Sequence, residues 1–353
     1  MNQQSQLLKE AAQGSRLDRE SALRLYREAD FFDLAAAAHE RRLNLHPGNV
    51  VTYVVDRNIN YSNICVCGCK FCAFYRRPDQ DGGFVLSRED LGRKIEETLA
   101  LGGTQILLQG SHHPGLDLSF YEELLAFIKK EYPGIHIHGF SPPEIIHFAE
   151  VSSLDPEEVL KRLIRSGLDS IPGGGAEILV DRVRKLVSPN KCSAGEWLQV
   201  MRSAHGLGLK TTATMMFGHL ESLGERVDHL LSLRELQDET GGFTAFIPWT
   251  FQPDNTRLSA ERITSVEYLR TLALSRMVLD NFPNLQVSWV TMGAKIGQLG
   301  LFFGANDFGS TMIEENVVAA SGVDFKMSRQ EIEDTIKEAG FIPCQRRMDY
   351  SPV

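Results

Sequence analysis

Short runs of apolar and β-branched residues alternate with longer stretches of helical periodicity along most of this chain. The helical stretches are amphipathic and fall at residues 88–101, 119–132, 156–167, 194–208, 226–240 and 266–282. The strand-like runs lie between them, at 51–60, 105–109, 135–140, 169–172, 210–217, 243–249, 286–291 and 301–303. Alternation of this kind predicts an α/β fold built around a parallel sheet.

About eight strand–helix repeats suit a (β/α)8 barrel or a partial TIM-type barrel. Residues 1–49 have helical periodicity throughout and predict an N-terminal helical extension. The barrel is then expected over 50–310, and residues 311–353 are expected to form a C-terminal helical tail packed on the barrel.

Polar and glycine-rich residues follow most of the predicted strands. They occupy 109–114, 141–144, 173–177, 218–221, 250–253 and 304–307. Because barrel enzymes keep their chemistry at the carboxyl ends of the strands, this pattern predicts an active site on that face. His136 and His138 share one face of their strand with Phe140, so they are predicted to line the barrel if Ile135 and Ile137 meet the outer helices.

Composition narrows the class of protein. The 353 residues carry 37 Lys and Arg against 46 Asp and Glu, a formal charge of −9, which is the wrong sign for a nucleic-acid binder. No apolar run approaches the roughly 18 residues of a membrane span. The first residues lack a basic segment followed by an apolar one, so we expect a cytoplasmic protein with no membrane partner.

Four of the six cysteines fall within eight residues, and such clustering in a reducing compartment indicates metal binding or redox chemistry. Cys65, Cys69 and Cys72 form a Cys-x3-Cys-x2-Cys pattern, which can hold three irons of a 4Fe-4S cluster and leave the fourth open. A zinc site would need a second pair of ligands, and unligated thiols are the remaining alternative. Cys67 is expected to point away, because alternate residues of an extended loop face opposite sides.

The cysteine run, with Phe71 just before its last cysteine, resembles the radical S-adenosylmethionine (SAM) superfamily. The runs NINYSNIC, CAFYR, LLQGSHHPG and FIPWTFQP are similar to one branch, which holds the menaquinone enzymes of the futalosine pathway and the deazaflavin-cofactor synthases. Within that branch, the set is most similar to the enzymes that make cyclic dehypoxanthine futalosine. The similarity extends over about 50–342 and implies a barrel of the radical SAM kind.

The resemblance implies a radical SAM enzyme with a 4Fe-4S cluster and S-adenosyl-L-methionine as cofactors. The cluster, reduced by a donor such as flavodoxin or ferredoxin, would cleave SAM to a 5′-deoxyadenosyl radical, which would take a ribose hydrogen from dehypoxanthine futalosine and so start its cyclisation. The siblings, aminofutalosine synthase or a deazaflavin (FO) synthase component, are alternatives. A non-catalytic Fe–S protein is a more distant one.

Several further residues are predicted to contact the cofactors. Glu177 would accept hydrogen bonds from ribose hydroxyls or an ammonium group, or else serve only as a carboxylate at a helix N-terminus. The sequence has Gly110-Ser111-His112 where many radical SAM enzymes have Gly-Gly-Glu, so Gln109, Ser111 and backbone carbonyl groups are expected to take the place of that glutamate. The remaining predicted cofactor contacts are Phe71, Gln109, Ser111, His138, Gly173, Gly174 and Gly175. No residue is predicted as the acid or base.

Overall fold

The structure, a computed structural model, describes residues 3–353. Its first part is helical, with α1 (Gln3–Ala12), α2 (Arg19–Glu28) and α3 (Phe31–Leu45). Asp18 and Asp30 accept backbone hydrogen bonds at the starts of α2 and α3, which satisfies N–H groups that a helix terminus leaves unpaired. The predicted N-terminal extension is therefore helical from residue 3 onward, while Met1 and Asn2 lie outside the described residues.

The remaining elements alternate between strand and helix. The strands are β1 (Val50–Val54), β2 (Asp56–Asn60), β3 (Gln105–Gln109), β4 (His136–Gly139), β5 (Ser170–Ile171), β6 (Lys210–Phe217), β7 (Phe243–Thr250), β8 (Asn284–Leu285), β9 (Asp307–Ser310) and β10 (Ile342–Gln345). The helices are α4 (Arg88–Ala100), α5 (Leu118–Glu131), α6 (Pro142–Ser152), α7 (Pro156–Ser166), α8 (Asp181–Val187), α9 (Ala194–Gly206), α10 (Leu223–Thr240), α11 (Ser265–Val278), α12 (Trp289–Met292), α13 (Ala294–Gly300) and α14 (Arg329–Glu338). No helix among residues 3–353 is long and apolar enough to cross a membrane.

Seven strands form one parallel sheet in the order β2-β3-β4-β5-β6-β7-β8, curled into a half-barrel with helices outside. A second parallel sheet has the order β10-β1-β9. β1 leads directly into β2, and an isolated bridge between Gln286 and Asp307 joins the β8 edge to β9. The α/β fold is confirmed, in its partial-barrel form.

Alternation along the strands separates an inner from an outer face. Ile106, Leu108 and Ile137 are fully buried under the helices. Side chains on the opposite face of the strands line an internal cavity of about 280 Å³. The strand residues that line it are Asp56, Asn58, Gln105, Leu107, Gln109, His138, Thr212, Thr214, Ile247 and Trp249. His138 thus lines the barrel, as the alternation predicts. Phe140 does not share its face, because a backbone φ of +58° turns it into the aromatic cluster of Tyr61, Tyr121 and Phe148.

Other differences from the predicted elements arise near the chain ends. The run 51–60 is two strands, because β1 pairs with β9 and β10 whereas β2 pairs with β3. The run 286–291 ends in helix α12, and 301–303 is a turn. Residues 304–306 consequently precede β9 and do not lie at the carboxyl end of a strand. The predicted helical tail also contains β10.

Candidate active site

The cysteine loop follows β2 and is held by loops that follow other strands. Val66 N donates a hydrogen bond to His112 O, beyond β3, at 3.0 Å. Lys70 N donates to Val187 O, at the end of α8, at 2.8 Å, and Arg257 N donates to Lys70 O at 2.8 Å. These bonds fix the loop at the carboxyl end of the half-barrel, where the sequence predicts the active site.

Cys67 does not point away from its neighbours as we expected. Its sulfur lies 3.4 Å from that of Cys69. Gly68 has a φ of +62°, a left-handed conformation that glycine adopts without steric cost and that turns the chain so that both side chains fall on one side. The extended-loop argument is therefore wrong here. Contact with Cys67, together with burial, raises the pKa of the Cys69 thiol.

The loop does not resemble a closed zinc site. Throughout residues 3–353, no three His, Cys, Asp or Glu side chains are grouped closely enough to surround one metal ion. Cysteines that bind a 4Fe-4S cube each hold a different iron, so they need not meet at one point. His112 N donates to Cys65 Sγ at 3.4 Å, the kind of contact that orients a metal ligand. Burial raises the pKa of Cys65 and Cys72, so iron binding must displace their protons.

Glu177 is a buried carboxylate with a spare oxygen. Its Oε1 accepts a hydrogen bond from Lys191 Nζ at 2.9 Å, and Arg184 Nη1 lies 3.5 Å from its Oε2. That Oε2 has no hydrogen-bond partner within the described part of the chain. Helix α8 begins only at Asp181, so Glu177 is not in its first turn. The free oxygen fits a donor on a bound ligand, since a buried polar atom without a partner is costly.

Lys191 completes this arrangement, and the sequence analysis missed it. Its ammonium lies 5.1 Å from the centre of the Phe71 ring, beside the cysteine loop. Burial lowers the pKa of Lys191, but the nearby Cys69 and Glu177 outweigh this and hold that pKa well above its usual value. Lys191 is a single lysine in the connection between α8 and α9, and no local motif distinguishes it.

The three glycines after β5 have different roles. A Cβ on Gly173 would lie 2.7 Å from Ala213 Cα, and one on Gly175, whose φ is +73°, would lie 2.4 Å from Pro143 Cγ. Both glycines are therefore required by the packing of the chain itself. Gly174 lines the cavity, where a Cβ would lie 2.4 Å from Gln109 Nε2. Gly174 is thus the member of the three that lines the cavity.

The turn after β3 is ordered by a buried network. Tyr61 Oη donates to Glu144 Oε1 at 2.7 Å, and Gly110 N donates to the same oxygen at 2.9 Å. Ser111 N donates to Tyr61 Oη at 3.2 Å, while Ser111 Oγ is buried without a partner. Glu144 therefore positions Ser111 beside Gln109, two of the groups predicted to replace the missing glutamate.

His138 is a neutral residue of the cavity wall. Its Nδ1 lies 2.7 Å from Ser170 Oγ, and its Nε2 lies 3.4 Å from Thr212 Oγ1. Burial lowers the pKa of His138 well below its usual value, so the ring is uncharged at neutral pH. It can offer a hydrogen bond to a ligand but not a charge.

Comparison with known proteins identifies the family. Residues 59–233 match the radical SAM superfamily, and 240–353 match the CofH/MqnC C-terminal region. A cyclic dehypoxanthine futalosine synthase of Halalkalibacterium halodurans is 48% identical, over 98% of this chain and 93% of the relative. A 5-amino-6-(D-ribitylamino)uracil–L-tyrosine 4-hydroxyphenyl transferase of Methanopyrus kandleri is 41% identical, over 92% of this chain and 90% of the relative.

Among solved structures, the hydrogenase maturase HydG of Carboxydothermus hydrogenoformans superimposes on this chain with a TM-score of 0.76. The match covers 98% of this chain and 80% of HydG. The sequence identity is 17%, so the similarity is one of fold. The chain therefore belongs to the radical SAM superfamily, whose members use a 4Fe-4S cluster and S-adenosylmethionine, and within it to the group that shares the CofH/MqnC C-terminal region.

Proposed function

We propose that this enzyme cyclises dehypoxanthine futalosine to cyclic dehypoxanthine futalosine, a step of menaquinone biosynthesis by the futalosine pathway. The observation that carries the proposal is the 48% identity, over nearly the whole of both chains, to a relative of that name. The sequence identity to the transferase of M. kandleri is lower, at 41%. A small-molecule substrate also suits an internal cavity of about 280 Å³.

In this proposal the sulfurs of Cys65, Cys69 and Cys72 hold the cluster. When bound, the cluster and SAM supply a 5′-deoxyadenosyl radical that takes a hydrogen from the substrate. Glu177 accepts a hydrogen bond from SAM through its unpartnered oxygen, and the hydrogen bond from Lys191 to its other oxygen orients the carboxylate. Phe71, Gln109, Ser111 and the glycine turn are further contacts of the cofactor.

The cavity wall orients the substrate and excludes water. Trp249, Trp289, Met312 and Val317 contribute apolar surface to it, and Gln109 and His138 contribute polar groups. A carbon radical is quenched by any stray hydrogen donor, so a closed and largely apolar chamber favours a productive intramolecular reaction. These residues act by position, since SAM and the cluster carry the chemistry.

We further propose a one-electron donor such as flavodoxin or ferredoxin, and no nucleic-acid or membrane partner. Cys65, Cys67, Cys69, Cys72, Cys192 and Cys344 are all free thiols, which suits the reducing cytoplasm. The acidic net charge of −9 makes a nucleic acid an unsuitable partner.

The test is an anaerobic assay of the reconstituted protein with SAM and a chemical reductant. We expect dehypoxanthine futalosine to be consumed, with release of 5′-deoxyadenosine, methionine and the cyclised product. Parallel reactions contain either a chorismate-derived enolpyruvyl benzoate or tyrosine with 5-amino-6-(D-ribitylamino)uracil. Turnover of either one, without cyclisation of dehypoxanthine futalosine, would assign the protein to a sibling activity.

A further inference from the structure

Five titratable side chains line the internal cavity, and four of them are poorly suited to accept a proton. The five are Asp56, His138, Glu315, Arg346 and Tyr350. The proposed cyclisation must release a proton from a carbon of the aromatic ring, because joining that carbon to the sugar leaves it with one hydrogen too many. The enzyme therefore needs a proton acceptor in this cavity.

Two of the five are less suited than Glu315 to accept this proton. Asp56 is the first residue of β2, at the amino end of the sheet, and accepts from Ser310 on Oδ1 and from Gln105 on Oδ2 at 2.7 Å, whereas Glu315 lies beside Asn58, nearer the carboxyl end. Arg346 is a cation that binds both oxygens of Asp307, with Nε 2.5 Å from Oδ2.

The other two are poor bases where they stand. His138 is held between two hydroxyl groups, and its burial disfavours the protonated ring. Tyr350 would have to become a phenolate, and burial raises its pKa far above the neutral range. Of the five cavity-lining groups, Glu315 is therefore the one best placed to act as the base.

Glu315 differs from its neighbour Glu314 in a way that suits this task. Glu314 lies 2.5 Å from Lys94 Nζ and 3.8 Å from Arg57 Nε, so its charge is neutralised. Glu315 has no Lys, Arg or His nitrogen within 4 Å among residues 3–353. Its carboxylate accepts from Val318 N at 3.0 Å and more distantly from Asn58 Nδ2 at 3.5 Å. A carboxylate without a cation keeps its affinity for a proton.

Two polar side chains on the wall of the cavity point to a ligand that binds there. Among residues 3–353, Asn58 Oδ1 and Gln105 Oε1 are buried without hydrogen-bond partners; Asn58 lies beside Glu315, and Gln105 lies beside Asp56. The two residues are at most 5% exposed. Unpaired buried acceptors are rare in folded proteins, so these two are suited to receive hydroxyl groups of a bound substrate.

We infer that Glu315 is a catalytic residue, the base that removes the ring proton after the new carbon–carbon bond has formed. This rests on the proposed function. In that step the C–H bond of the ring carbon would break, its proton would pass to a carboxylate oxygen of Glu315, and the remaining electron would go to a one-electron oxidant. A 4Fe-4S cluster held by Cys65, Cys69 and Cys72 would supply that oxidant in its oxidised form, and the ring would regain its aromaticity.

The electrostatics of the site support this role. Burial, with a contribution from Glu314, raises the pKa of Glu315 to about 7. A base with a pKa near the working pH is both available in its charged form and able to hold the proton.

The test compares Glu315→Gln with the matched variant Glu314→Gln in the reconstituted, cluster-loaded enzyme. The readout is the ratio of cyclised product to 5′-deoxyadenosine, together with the radical EPR signal and the substrate Kd. Glu315→Gln should still release 5′-deoxyadenosine and bind substrate, while the ratio falls by about 10²-fold and a substrate-derived radical accumulates. Glu314→Gln should keep the wild-type ratio.

An unchanged ratio in Glu315→Gln would overturn the inference, as would an equal fall in the ratio for both variants. If Glu315→Gln does not fold, Glu315→Asp decides, because it keeps a carboxylate but withdraws it by one methylene. Its ratio should fall below that of the wild type, and a ratio equal to the wild-type value would contradict the role. Absence of cyclised product from the wild-type protein would instead refute the proposed function.

Discussion

Replacement of Glu177 by Gln should weaken SAM binding without removing the cluster. The substitution keeps the size of the side chain but removes the charge of a buried carboxylate whose Oε2 has no hydrogen-bond partner. An amide can place an NH₂ group where that oxygen was, and an NH₂ group cannot accept from a ligand hydroxyl or ammonium.

The magnitude follows from one charge-assisted hydrogen bond. Such a bond contributes about 1.5–3 kcal/mol net, which corresponds to a rise in the Kd of SAM of about one to two decades. Lys191 loses its anionic partner at 2.9 Å as well, but Arg184 remains held by the carbonyl oxygens of Gly175 and Ala176. The local fold should therefore survive.

The assay is anaerobic titration of SAM into the reduced, reconstituted protein, followed by calorimetry and by the cluster EPR signal. Affinity is normalised to the iron and sulfide content of each sample, which separates loss of the ligand site from loss of the cluster. Glu331→Gln is the matched control, because Glu331 is an exposed residue of a capping box at α14, remote from the cysteine loop.

A Kd within twofold of wild type, with a full cluster, would refute the reasoning. Glu177 would then be only the counter-ion of Lys191, and the unpartnered oxygen would need another explanation. A rise in Kd for Glu331→Gln of the same size would also refute it, because the effect would then not be local.

Three further variants test other parts of the structure. Cys67→Ser should keep iron, sulfide and most 5′-deoxyadenosine formation, whereas serine at any of the three predicted ligands should lose the cluster; equal loss in all four would contradict the open-iron assignment. Asp307→Asn removes the carboxylate that pairs with Arg346, and both side chains are at most 4% exposed. The free energy of unfolding in urea should therefore fall by about 3–5 kcal/mol. A fall of less than about 1 kcal/mol would contradict a stabilising role for this ion pair. Gly173→Ala places a Cβ against the backbone of β6 and should lower stability by about 1–3 kcal/mol in thermal unfolding, while Gly134→Ala, with open space around it, should not.

Elements with a strong local pattern were predictable from the sequence. The run 105–109 coincides with β3, since its apolar residues suit a strand buried on both faces. β9 contains a glycine and β10 a proline at position 343, both unusual in strands, and these segments are extended because they pair with β1 far away in the sequence. The local conformational preferences of these residues do not reveal that they pair with a strand so distant in the sequence.

The same distinction holds for the active site. Cys65, Cys69 and Cys72 could be singled out as predicted ligands because cluster ligands on one loop leave a fixed spacing in the sequence. Lys191 and Glu315 were not, since each is a single charged residue in a connecting segment. Their relation to the cavity and to the cysteine loop is created by the fold alone.

The pairing of β10 with β1 has a consequence for the order in which the molecule can be built. Val50 pairs with Ile342, so the first strand obtains this neighbour only after residue 342 has left the ribosome. At about 5–20 residues per second, the seven-stranded sheet has several seconds in which to assemble before the tail arrives. Arg346, Met348 and Tyr350 of that tail line the cavity. A half-barrel made up to β8 therefore lacks part of its cavity wall, which is completed only when these later residues pack against it.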